Sequence, residues 1–472
     1  MAGSSRIASA RGLGGLCVRA LLPSILLFAG CGEASSDDGG ESGSAGNAGS
    51  NVAGSSGASG GSGNTGKGGS SGSSGSAGKG GAGGGTGATG GTASGNGGSS
   101  GDSGSSGTAG SAGAAGSGGT AGGGTGTSSA ADVARKLGRE PNFLIGMGND
   151  LPSDYVWENA GIYTLPERLD IHYYYLTQGW ETWNEGGWFP YILGSVDVQQ
   201  GSVPMATLYA MAGAGENNLS VLTDSGYMGP YWTNLKLLFE RYGTDLDQPA
   251  IVHLDPDFWA FAQQGSGGDP TSLEVILDSE CSALPNDLTG MGQCIVQLAR
   301  SLAPKLVLGF HASQWAAGSA AEVGEFLRAI GAGQADIVVI DMLDRDAGCF
   351  EDGTLPQCQR GGVFYWDETN QTSPNFHEHI AWSKEVGEVL GVPILWWQIP
   401  FGVPSDTPGG TPGHFRDNRV KYIFEHVQEF VDAGGLGACF GTGAGDQTYI
   451  DSDGGQFANA VTGYYANPVP LP

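Results

Sequence analysis

Basic residues are scarce in this chain. Its 472 residues hold 20 Lys and Arg against 48 Asp and Glu, a formal charge of −28. The imbalance lies entirely after residue 130, where 15 basic side chains face 43 acidic ones; the first 130 residues carry five of each. A segment this acidic repels phosphate backbones and anionic lipid surfaces, which excludes nucleic acid as a partner. Tryptophan is missing from residues 1–130, and all 11 lie beyond them. No apolar run approaches the roughly 20 residues that a membrane-spanning helix needs. The seven cysteines show no zinc-site spacing. A dinucleotide-binding glycine turn is also missing, because Gly146-Met147-Gly148 only superficially approaches one.

What is present divides the chain in three. Residues 1–30 read as an export signal, with Arg6, Arg11 and Arg19 before the short apolar run Leu21–Gly30. Leu27-Phe28-Ala29-Gly30-Cys31 resembles the bacterial lipobox, with Phe28 where Leu is usual. That resemblance implies lipidation of Cys31 and an exported, membrane-anchored protein exposed at the surface or in the periplasm. An ordinary secretory signal with a chance cysteine is the alternative. Residues 31–130 are low-complexity Gly, Ser, Ala and Thr. They cannot bury enough surface to offset their ordering entropy and should form a disordered tether. A Gly-rich coil of ~100 residues spans roughly 55 Å. Residues 131–472 form the folded domain, expected to be a monomer. Cys281/Cys294 and Cys349/Cys358 are two close pairs that each flank a loop, as disulfides in an oxidising compartment would. Cys439 sits in an apolar run and should be buried and free.

Eight short apolar runs alternate with helix-compatible stretches. The runs are Asn142–Gly148, Asp170–Leu176, Val203–Tyr209, Ala250–Leu254, Lys305–His311, Asp336–Asp341, Val392–Ile399 and Leu436–Thr442. Three- and four-residue apolar spacing predicts helices over Trp232–Tyr242, Gly292–Leu302, Ala320–Ile330, His379–Leu390 and Asn418–Val431. Alternation argues for a parallel sheet, and eight units for a closed (β/α)8 barrel of the TIM type. An open doubly wound sheet is the alternative.

Barrel chemistry sits at the C-terminal strand ends. The fourth run closes in His253-Leu254-Asp255-Pro256-Asp257-Phe258-Trp259, and the sixth in Asp341-Met342-Leu343-Asp344. Period-two alternation would put His253, Asp255 and Asp257 on one face. Paired carboxylates on a rim suit glycosidic cleavage, and like-charge repulsion could prepare one of them as an acid. A lone strand-end Asp is more simply a helix N-cap. Trp180, Trp183 and Trp188 cluster after the second run with Glu181 and Glu185 between them, while Trp397-Gln398 ends the seventh. Flat rings pack against sugar C–H faces, though tryptophans also fill cores. Trp396 and Trp397 must point opposite ways. His172, Tyr174, Trp259 and His311 are further candidates for contact with substrate.

On this architecture and rim chemistry the domain resembles secreted glycoside hydrolases with (β/α)8 barrels as a broad class. The Asn-Glu-Pro signature of many β-glycanases is missing after the fourth run, and Asn184-Glu185 precedes Gly. Aspartates after strands four and six look more like retaining α-glycosidase barrels. That likeness implies Asp255 or Asp257 as nucleophile and Asp341 or Asp344 as acid/base. The expected partner is an extracellular poly- or oligosaccharide, with no cofactor. A structural calcium near Asp451 and Asp453 is a weaker expectation, because the full EF-hand spacing is absent. The rival readings are a barrel that binds surface glycan without cleaving it, and a metal-dependent phosphodiesterase with His253, Asp255 and Asp257 as ligands.

Overall fold

The computed structural model describes residues 128–148, 161–215, 217–316, 318–342, 359, 365–401, 419–441, 450 and 453–472. Cys31, almost all of the expected tether, Asp344, Cys349, Cys358 and Asp451 lie outside these residues.

Eight parallel strands close into a barrel in sequence order: β1 (Leu144–Gly148), β2 (Ile171–Thr177), β3 (Val203–Tyr209), β4 (Ile251–Leu254), β5 (Val307–Ala312), β6 (Ile337–Asp341), β7 (Ile394–Ile399) and β8 (Gly435–Phe440). β1 pairs with β8, so no edge is left exposed. Each expected run matches one strand, with ends trimmed or shifted by a residue or two. The strands are buried on both faces, against the barrel interior and the helix layer, which explains their near-continuous apolar sequence.

The helices described are α1 (Ala130–Lys136), α2 (Phe189–Gln200), α3 (Ser225–Glu240), α4 (Phe258–Gly265), α5 (Leu288–Leu302), α6 (Ala320–Ala329), α7 (Phe376–Leu390), α8 (Arg419–Glu425), α9 (Val427–Asp432) and α10 (Gln456–Ala466). Their starts are written locally. Ser129/Asp132 and Ser319/Glu322 are capping boxes for α1 and α6, while Asp287 and Asn375 cap α5 and α7. The helix predicted over Asn418–Val431 is two segments that break at His426. Cys281 and Cys294 form a disulfide that ties the preceding loop to α5. Cys439 is buried and free as expected, and burial pushes its thiol pKa up. Among the described residues no helix is long and apolar enough to cross a membrane.

Two glycines shape the barrel interior beside β2. A Cβ at Gly148 would lie 2.3 Å from Tyr173 Cζ, and one at Gly441 would lie 1.9 Å from Tyr173 Oη. The seam between β1 and β8 therefore has no side chain at these positions, and the Tyr173 ring occupies the space.

Candidate active site

Strand parity decides which residues of β2 reach the barrel interior. Tyr173 and Tyr175 point inward, their ring centroids 5.9 and 5.8 Å from that of Trp397. His172 and Tyr174 point outward, which corrects the expectation that they contact substrate. His172 Nδ1 is 2.7 Å from Asp197 Oδ1 on α2, and Tyr163 donates to the same oxygen. Tyr174 Oη bonds to Tyr242 Oη and donates to Pro190 O at 3.2 Å. Aromatic side chains stand at four successive positions of β2, so alternation in the sequence could not separate its faces.

Two tryptophans are corrected in the same way. Trp259 is fully buried outside the barrel wall, donating to Leu254 O at 3.2 Å and packing on Phe310. Trp180 is buried beneath the loop it was expected to expose. Trp183 is half-buried on Phe189 of α2, and Trp188 is exposed with the Arg241 guanidinium 3.7 Å from its ring centroid. Glu185 is exposed in a left-handed turn. The cluster thus divides among core, half-buried and surface environments.

At the end of β4 the two aspartates part company. Asp255 has a φ of 38°, and its fully buried carboxylate is turned toward α3. Oδ1 accepts from Ala210 N at 2.8 Å and Met211 N at 2.9 Å, while Oδ2 accepts from Tyr231 Oη at 3.0 Å. These bonds tie the exit of β3 and α3 to β4. Burial outweighs the three donors and raises its pKa to about 6. Asp257 is half-buried with a φ of 67° and receives Tyr209 Oη at 3.3 Å. It heads α4 without a side-chain cap bond, so the usual reason for a strand-end Asp does not apply. Two left-handed residues around Pro256 break the period-two pattern that grouped His253, Asp255 and Asp257. Asp255 is not directed to the barrel mouth, and the three side chains do not converge as a metal-ligand set.

Across the barrel, side chains from successive strands form a polar chain. Thr207 Oγ1 on β3 is 3.3 Å from His253 Nδ1 on β4, and His253 Nε2 is 3.0 Å from His311 Nδ1 on β5. His311 Nε2 lies 3.2 Å from Asp341 Oδ1 at the end of β6, a close contact without hydrogen-bond alignment. Burial, with His311 alongside, holds the His253 pKa well below its ordinary value. Trp397 closes the group edge-on to both rings, at 4.7 and 5.7 Å, and its buried Nε1 has no hydrogen-bond partner among the described residues. Trp396 faces outward onto Phe430 of α9, as the opposite-pointing reading required. Gln398, with a φ of 57°, donates to Tyr175 Oη.

The structure therefore brings together His253, His311, Asp341, Trp397 and Gln398, with Asp257 and Tyr209 on the neighbouring rim. Thr207 and Tyr209 were missed in the sequence; of the run His172-Tyr173-Tyr174-Tyr175, all four of which could line the site floor by sequence, Tyr173 and Tyr175 face the interior and His172 and Tyr174 do not. Asp453 is buried and accepts from Gly455 N at 2.7 Å and Phe457 N at 2.8 Å at the start of α10. Those bonds make it a helix-initiating residue, while Asp451 lies outside the described residues.

No protein-family profile matches the chain, and no curated protein does either. Solved structures resemble it at low identity. The endoglucanase Cel6 from Mycobacterium tuberculosis is 15% identical over 53% of this chain and 67% of its own, with a TM-score of 0.30. The GH26 domain of an endo-β-mannanase/endo-β-glucanase from Prevotella bryantii is 12% identical over 71% and 95%, with a TM-score of 0.39. A D-allulose 3-epimerase from Methylomonas sp. is 10% identical over 68% and 98%, with a TM-score of 0.38. Hydrolases and an epimerase stand side by side at this level of likeness, so the chemistry has to be argued from the site itself.

Proposed function

We propose that the domain is a glycoside hydrolase of an extracellular poly- or oligosaccharide, with Asp257 and Asp341 as its carboxylate pair. The observation that carries this reading is the meeting of side chains at the C-terminal strand ends. Asp341 lies 3.2 Å from His311 of a buried His311–His253 pair beside Trp397, Tyr175 and Tyr209, and Asp257, which receives Tyr209 Oη, stands on the neighbouring rim. Backbone outliers support the same location, since Asp257 and Gln398 hold left-handed conformations that non-glycine residues adopt at a cost of about 1–3 kcal/mol. Rings of Tyr and Trp suit the C–H faces of pyranoses, and the Gln398 amide suits their hydroxyls.

The reaction needs only water and the two carboxylates. One protonates the departing glycosidic oxygen as the anomeric C–O bond breaks. The other attacks that carbon or removes a proton from the water that does, and water finally supplies the hydroxyl and the proton. A signal and lipidated Cys31 would export and anchor the protein, with residues 31–130 as its tether.

The test is a reducing-end release screen of the full chain on α- and β-linked glycans, beside Asp257→Asn, Asp341→Asn and the control Glu185→Gln. Parent and control should release sugar. Each Asn variant should lose on the order of 100-fold or more in kcat, as removal of a general acid or base does. Release that survives in Asp341→Asn would sink the assignment. Glycan binding without release from the parent would leave a barrel that binds surface sugar.

A further inference from the structure

In barrel order the exit of β5 lies between the two carboxylates, since Asp257 follows β4 and Asp341 ends β6. Trp315 stands three residues past the end of β5, and Phe261 stands in the first turn of α4, four residues past Asp257. Their rings pack on each other, with centroids 4.8 Å apart and planes tilted by 57°. Both side chains are half-buried, unlike Trp259 of the same helix, which lies in the core. The backbone that carries Trp315 is tied on both sides. Ala316 N donates to Ser313 O at 3.1 Å and closes a turn around it, and Gln314 Oε1 is 3.0 Å from His379 Nδ1 of α7. Phe261 N donates to Asp257 O at 3.1 Å, so a single helical turn joins the aromatic pair to that carboxylate. The core therefore accounts for Trp259 and leaves the Trp315–Phe261 pair on the rim with part of its surface in water.

We propose that Trp315 and Phe261 form a sugar-stacking subsite that holds one unit of a neutral glycan chain beside the bond to be cleaved. This rests on the glycosidase reading above and names its substrate class. Tyr209 of β3 donates to Asp257 from one side and packs on Tyr175 of β2, with ring centroids 6.4 Å apart. The Trp315–Phe261 pair stands toward β5, so aromatic surface lies on both sides of Asp257. A chain that covers both platforms spans more than one sugar ring. Indole and phenyl faces bury the C–H faces of pyranoses without reading charge. Charge selection then falls to the field of the domain. With 43 acidic against 15 basic side chains after residue 130, that field repels uronate and sulfated chains and admits neutral ones.

Two measurements on the full chain test the inference. The first is affinity electrophoresis in gels containing mixed-linkage β-glucan, galactomannan or soluble starch as neutral probes, and polygalacturonate as the anionic one. At least one neutral probe should retard the parent. Trp315→Ala should lose about tenfold in affinity for it, the loss expected when one aromatic face no longer buries a sugar. Trp315→Tyr keeps a ring against Phe261 and should retain most of the affinity. Retardation of the parent by polygalacturonate alone, by no probe, or equally with Trp315→Ala would overturn the subsite. The second measurement is kcat/KM on a length series of oligosaccharides from whichever glycan the parent cleaves. In the parent it should rise at the length that reaches the pair. Trp315→Ala should abolish that rise through KM, with kcat within about twofold. An equal loss at every length would overturn the subsite and leave the hydrolase reading standing. A parent that is retarded but releases no sugar would sink the hydrolase reading, and the retardation of Trp315→Ala would still decide the subsite.

Discussion

Burial and hydrogen bonding pull in opposite directions at Asp255, and the balance makes it a pH-sensitive anchor. Its folded pKa of about 6 lies above the ordinary 3.8. The carboxyl therefore binds its proton more tightly folded than unfolded. Its contribution is full below about pH 3.8 and is lost as pH rises through about 6, on the order of 3 kcal/mol in all. Asp255→Asn mimics the protonated form, with an oxygen for Ala210 N and Met211 N and an amide for Tyr231. Urea unfolding at pH 4 and pH 7 should show a smaller difference in that variant than in the parent. An unchanged difference would remove Asp255 as the source. Asp255→Ala, which leaves two buried N–H groups unpaired, should cost about 2–5 kcal/mol at either pH.

At the scale of the strand, the β2 tyrosine and the β1/β8 glycines form one packing unit. Gly441→Ala would drive a methyl into the Tyr173 hydroxyl, which cannot swing away because Trp397 and Tyr175 hold the ring. Overpacking of this kind costs about 1–3 kcal/mol. Tyr173→Phe in the same chain should recover part of that loss, and a thermal melt of the double variant measures it. Strictly additive effects would mean that the two side chains do not meet as described. β2 also shows where sequence reasoning stops. Its eight-fold context was legible from the alternation of runs, but Ile171–Thr177 carries apolar or aromatic side chains at nearly every position. Only the contacts of Tyr173 with Trp397, and of His172 with Asp197, tell which face is which. On β4 alternation was readable through Leu254 and failed after it, because left-handed turns at Asp255 and Asp257 re-aim both carboxylates.

Over the whole molecule, the net charge of −28 is concentrated in one folded domain, where like charges repel across the surface. Salt screens that repulsion, so the melting temperature should rise by about 2–5 °C between 20 and 500 mM NaCl. A fall would mean that attractive pairs such as Lys136–Asp336 and Arg300–Asp336 outweigh the repulsion. The sequence by itself determined the closed barrel, because eight buried strands alternating with amphipathic helices have few ways to hide their apolar faces. It also determined the Cys281–Cys294 bridge, the opposed directions of Trp396 and Trp397, and the strand ends on which a site could be built. Tertiary structure alone decided which rim side chains face one another. Asp255 went to a structural anchor, Trp180 and Trp259 to the core, and His311 to Asp341. Those outcomes depend on local backbone handedness and on contacts between residues tens of positions apart, and neither leaves a periodic trace in the chain.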